Sequence, residues 1–200
     1  MDSELARLLA TAGGPDYQNA LKRFLTLGDD ACASLLAVVA REVPQPPTGA
    51  PGAHPRDIME DASEIVYAAA RQWPTRFEAV VTVSPALRHD TNVVYALREL
   101  RSPGSEALLI AATQVREPGH VYLRATAVRS LLARRSRALT DLLPRLLGDR
   151  ADAVRSAALD ASARYGDTRS LVALRRIAAN PRRPTWERER AAAAIARITG

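Results

Sequence analysis

Residues 149–167 read DRADAVRSAALDASARYGD, and the placing of apolar residues in this stretch constrains the fold more than any other feature of the chain. Val154, Ala157, Ala158, Ala161 and Tyr165 recur at helical spacing and fall on one face of a helix. Most of them are alanine, so a neighbouring helix can approach to the short end of the usual ~8–10 Å interaxial range. Asp149 or Asp152 can serve the amino end, and Gly166 followed by Asp167 can close the helix in a left-handed conformation. This is a helix built to lie between other helices, and weaker copies of it recur about every thirty residues.

Leu123, Arg124, Ala127 and Leu131 repeat the pattern 31 residues earlier. Arg188, Ala191, Ala194, Ile195 and Ile198 repeat it 33 residues later, with Glu187 where Val154 stands. A fainter copy lies over Ala96, Leu97 and Leu100. The apolar spacing predicts helix pairs at 105–115 and 120–134, 138–147 and 151–165, and 168–179 and 185–198, with Pro144 kinking its helix. Upstream it predicts helices at 3–11, from Pro15 to Gly28, and from after Asp30 to about 42. Helices resume at Asp57 and break at Trp73 and Pro74, with a short helix ending near Ser84 and another over 92–100. The VVTV run at 80–83 has strand character, but its helical surroundings decide for helix. Ser102, Pro103 and Gly104 form a turn signal. The organisation expected is an N-terminal helical cap at 1–43, a proline-rich connector at 44–56 and a repeat array at 57–200 packed as one continuous domain. The connector follows from five prolines and two glycines within residues 43–56, which exclude a helix or central strand there.

Aromatic residues make up only 4% of the chain, which favours helices cemented by Ala, Leu, Val and Ile over a core built on large rings. Cys32 is the single cysteine, so no intrachain disulfide forms and nothing points to an oxidising compartment. The N-terminal residues lack a basic region followed by an apolar run, and no stretch approaches the ~18 apolar residues of a membrane helix. A soluble, cytoplasmic protein without a membrane partner is expected. The near absence of lysine beside abundant Arg, Ala and Pro fits a GC-rich bacterial source.

The pattern resembles the HEAT-repeat family, in particular the short HEAT-like repeats first associated with phycobilisome lyases. Their second helix tends to read Val-Arg, then Ala at the third, fourth and seventh positions beyond the Val, apolar residues at the eighth and eleventh, then Gly-Asp. Val154, Arg155, Ala157, Ala158, Ala161, Tyr165, Gly166 and Asp167 match, and Ser162 stands at the eighth position. The resemblance covers roughly 105–200. It implies an all-α fold, a right-handed α-α superhelix of the HEAT-like solenoid kind. It also implies a non-catalytic scaffold that binds another protein on the concave surface of its second helices. Some HEAT-like proteins are DNA-repair glycosylases, which makes nucleic-acid binding the alternative.

Charge gives the candidate surface a direction. Residues 1–100 carry nine Lys or Arg against thirteen Asp or Glu; residues 101–200 carry nineteen against nine. Arg129, Arg134 and Arg135 cluster towards the end of one second helix, Ser156, Asp160 and Arg164 lie on the outward side of the next, and Arg190 is on the last. These seven are the candidate binding residues, for an acidic protein partner or for phosphates. The acidic first half and basic second half also permit self-association. Arg155, one position off the apolar stripe, can reach an acidic residue at a neighbouring turn, each such link being worth ~1 kcal/mol or less when exposed. No cofactor, metal site or catalytic residue is expected: His54, His89 and His120 lie far apart without ligand spacing, and no phosphate-binding glycine loop is present. An enzymatic reading would have to rest on Asp160, Tyr165 and Trp186.

Overall fold

The computed structural model describes residues 3–41, 53–117, 119–165 and 168–200. Among them are thirteen α-helices and two short 3-10 turns, with no strand. The helices are α1 (Ser3–Thr11), α2 (Tyr17–Phe24), α3 (Asp30–Val39), α4 (Pro55–Gln72), α5 (Pro74–Val83), α6 (Pro85–Arg88), α7 (Thr91–Ala96), α8 (Pro103–Ala112), α9 (Val121–Ala133), α10 (Ala138–Leu146), α11 (Asp152–Tyr165), α12 (Leu171–Ala179) and α13 (Thr185–Thr199). The 3-10 turns are Leu97–Glu99 and Thr168–Ser170. Most of the proline-rich stretch 44–56, and the Gly166 and Asp167 stop, lie outside the described residues. No helix among the described residues is long and apolar enough to cross a membrane.

Several helix ends differ from the sequence expectation, and proline explains two of them. α4 begins at Pro55, so Asp57 sits inside its first turn instead of capping it. α8 begins at Pro103 and not at Ser105. The missing N–H and fixed φ of proline suit the first helical position, so a Pro that reads as a breaker also opens a helix. At α8 the Ser102 hydroxyl accepts the Ser105 N–H at 3.0 Å and completes the cap. α2 stops at Phe24, short of Gly28, because the chain tightens into i, i+3 bonds from Thr26 to Arg23 and from Leu27 to Phe24. The expected helix at 92–100 is α7 followed by a 3-10 turn, with Asp90 accepting the Asn92 and Val93 N–H groups at its start.

The chain divides into two compact units, Met1–Ser105 and Glu106–Gly200. In the first, α1 packs on α2, α3 on α5, and α4 on α5 and α7. Leu5, Leu8, Phe24, Leu35, Leu36, Ile65, Phe77 and Leu87 are fully buried there. Phe24 and Trp73 meet edge to face with centroids 5.7 Å apart. The Tyr17 hydroxyl donates to the Asp61 carbonyl at 2.8 Å and the Gly13 N–H to the Asp61 carboxylate at 2.6 Å, which ties the α1–α2 turn to α4.

In the second unit, α11 packs against α9 on one side, α13 on another and α10 on a third. Val154, Ala157, Ala158, Leu159 and Ala161 are all buried, more than a single face, because small residues let three helices close around this one. Ser162, the departure from the apolar pattern, is fully buried and returns its hydroxyl to the Ala158 carbonyl at 2.9 Å.

The arginines at equivalent positions of α9 and α11 are buried and cross to neighbouring elements. Arg124 donates to the Asp149 carboxylate at 3.0 Å and the Val115 carbonyl at 3.2 Å. Asp149 in turn accepts the Ala151 N–H at 2.9 Å. Arg155 donates to the Asp149 and Arg150 carbonyls at 2.9 and 2.8 Å, to Asp152, and twice to Glu187, at 3.0 and 2.5 Å. All five of its N–H donors are thereby engaged. Glu187, which departs from the Val of the pattern, is fully buried and also faces Arg183 at 3.5 Å. The hydrogen bonds that Arg155 donates to Glu187 outweigh desolvation and hold its guanidinium above its ordinary pKa.

Candidate functional site

An open cleft of about 390 Å³ lies on the second unit, lined by Arg129 of α9, Asp152, Ala153 and Ser156 of α11, and Trp186 and Arg190 of α13. Helical spacing produces it. Asp152 and Ser156 lie one turn apart on α11, as do Trp186 and Arg190 on α13, so each helix contributes one continuous strip. Tyr122 and Trp186 hold the same register position on α9 and α13, and both are exposed. At that position α11 carries Ala153, whose small side chain leaves the space.

Arg190 organises one wall. Its guanidinium donates to Ser156 Oγ at 3.0 Å, pairs with Asp160 at 3.2 Å and lies 5.7 Å from the Trp186 ring centroid. An Arg over an indole is favourable by about 0.5–1 kcal/mol when exposed. Asp152 is paired with Arg155. Arg129, by contrast, is exposed and makes no hydrogen bond or ion pair among the described residues. The cleft therefore combines one uncommitted cation, one indole face held by a fixed guanidinium, and a small apolar floor at Ala153.

Of the seven residues picked from the sequence, the structure brings four together: Arg129, Ser156 and Arg190 line the cleft, and Asp160 is tied to Arg190. The other three lie outside it. Arg134 caps the end of α9, Arg135 follows in the left-handed region at φ 56°, and Arg164 is exposed in the last turn of α11. Further along the basic half, Arg169 is committed to Asp141 and Thr140. Of the three residues on which an enzymatic reading would have to rest, Asp160 and Trp186 both meet Arg190, but Tyr165 belongs elsewhere. Its hydroxyl is buried without a partner among the described residues, and burial raises its pKa, with Arg135 and Glu106 nearby. No group of three or more His, Cys, Asp or Glu side chains suited to a metal ion occurs among the described residues. Ala153 and Asp152 were not picked as binding residues. The readable signal was the register 122, 153, 186, in which a small residue falls between two aromatics.

No protein-family model matches this chain, and no curated protein is significantly similar to it.

Proposed function

We propose that this protein is a HEAT-like helical-repeat scaffold, a right-handed solenoid in its second half, that binds another protein through the face shared by α9, α11 and α13. The repeat reading is supported by the 31- and 33-residue steps, by the packing of α11 between α9 and α13, and by the arginines recurring at 124 and 155. The observation that carries the binding role is the uncommitted Arg129 beside the Trp186–Arg190 pair in an open cleft. Such a cleft fits a partner segment that brings a carboxylate to Arg129 and an apolar side chain to Trp186 and Ala153. Exposed aromatic and arginine side chains of this kind carry most of the energy of protein interfaces.

The test is quantitative affinity capture from the native host with the intact protein, run in parallel with Arg129→Glu and Trp186→Ala. A stoichiometric protein retained by the wild type and lost from both variants supports the reading. Identical capture by all three overturns it. Nucleic-acid binding is the second reading, favoured by the 18 Arg against nine Asp or Glu in residues 106–200, and salt dependence separates the two.

A further inference from the structure

The arginine at 188 occupies the position held by Arg124 on α9 and Arg155 on α11, yet no carboxylate among the described residues pairs with it. Its hydrogen bond goes to Thr185 Oγ1 at 3.2 Å on its own helix, and its Nε is buried without an acceptor among the described residues. One turn further along, the same contrast recurs. Val128 and Leu159 are buried, whereas Ala192, the residue in register with them, is exposed, as is Ala196 beyond it. α13 thus leaves open, at the half-buried Arg188 and the exposed Ala192 and Ala196, the strip whose counterparts Arg124 and Val128 on α9, and Arg155 and Leu159 on α11, are buried.

We propose that this strip receives α3 of a second copy of this chain, with Arg188 meeting the carboxylates of Asp29 and Asp30. Three observations select that occupant. Asp29 and Asp30 stand at the start of α3 as Asp149 stands just ahead of α11, so a parallel pairing of helix starts reproduces the Arg124–Asp149 contact. Asp29 makes no capping hydrogen bond, and the Asp30 side chain is 97% exposed, with only a 3.7 Å contact to Arg76. Ala33 and Ala37 continue along α3 at helical spacing and are half-exposed, which lets a second small-residue helix approach closely. Charge balance agrees: residues 1–105 carry ten Lys or Arg against thirteen Asp or Glu, and residues 106–200 carry 18 against nine. The two faces differ, so the contact is heterologous and propagates into open chains or closes into a ring. It involves neither Arg129 nor the cleft and stands independently of the partner reading.

Sedimentation velocity on the intact protein over a wide concentration range at low salt tests this, with circular dichroism melts to confirm that each variant folds. Wild type should associate with rising concentration, and less so in high salt. Arg188→Glu, and separately the Asp29→Arg/Asp30→Arg double variant, should each weaken association at least ten-fold. An equimolar mixture of the two should associate again, because each supplies the face that the other lacks. Ala192→Glu serves as the second probe of the α13 face if Arg188→Glu melts early. A wild type that stays monomeric, variants that associate like wild type, or a mixture that remains monomeric would each overturn the proposal. Arg129→Glu, which is predicted to lose the protein partner, should self-associate as wild type does.

Discussion

At the scale of single residues, the most consequential side chain is Glu187. The sequence pattern calls for an apolar residue there, and burying a lone carboxylate would be very costly. It is tolerated because Arg155 delivers two N–H groups to it from α11. Removing one partner of a buried pair leaves the other charge unmet, which costs about 3–5 kcal/mol. Glu187→Ala should therefore lower unfolding free energy by about that amount in urea denaturation, whereas Asp152→Asn, at an exposed carboxylate, should cost under about 1 kcal/mol. Replacing the pair together, Arg155→Met with Glu187→Leu, should recover most of the loss. Cys32 makes a second residue-level case. Burial pushes its thiol up to about 12 despite the opposing pull of Arg76. At pH 8 the reactive thiolate is then on the order of one part in 10⁴, and iodoacetamide should label Cys32 only after unfolding. Rapid labelling of the folded protein would contradict that environment.

At the scale of elements, helix starts show how side-chain contacts settle what local propensity leaves open. α8 opens with Pro103 and Gly104 under a cap from Ser102, and the Ser102 hydroxyl also donates to Glu78 of α5. A Cβ on Gly104 would collide with that Glu78 carboxylate. Gly104→Ala gains up to about 1 kcal/mol of helix propensity, but Glu78 must swing away and give up a hydrogen bond worth about 0.5–1.5 kcal/mol. The two nearly cancel, so Gly104→Ala alone should change stability by no more than about 0.5 kcal/mol. Placed in a Glu78→Ala background, the same substitution should stabilise by up to about 1 kcal/mol, because its cost has gone. Thermal melts of the four proteins in that cycle give the coupling directly. Ser102→Ala should cost about 1 kcal/mol through the lost cap.

At the scale of the whole molecule, charge is partitioned along the chain, and several arginines of its basic half are paired with the chain's own carboxylates. Arg124 and Arg155 are buried, Arg169 is paired with Asp141, and Arg190 is paired with Asp160. Arginines spent on internal carboxylates are not available to phosphates, so the protein reading predicts shallow binding to nucleic acid. A titration of duplex DNA at about 50 and 200 mM salt should show weak affinity and a small salt slope. A protein contacting 6–10 phosphates would instead lose about 10³–10⁵ in affinity over that range. A slope of that size, reduced by charge reversal at Arg175, Arg176 and Arg182, would transfer the assignment to nucleic acid.

The sequence alone determined that the chain is helical, where most helices lie and that Val154, Ala157, Ala158 and Ala161 of α11 are buried, because those features follow from a local 3.6-residue period. That Arg155, Leu159 and Ser162 are buried as well was decided by the helices around α11. The sequence also singled out seven residues, Arg129, Arg134, Arg135, Ser156, Asp160, Arg164 and Arg190, of which Arg129, Ser156 and Arg190 line one cleft and Asp160 is tied to Arg190. Only tertiary structure decided which of those side chains are committed. Arg190 and Arg129 look alike in sequence, yet one is held by Ser156 and Asp160 from another helix and the other is not. The Arg155–Glu187 pair spans 32 residues, and Pro55 and Pro103 open helices that their composition marks as breaks. For the ion pairs the deciding contact comes from another element, and a local pattern carries no record of it.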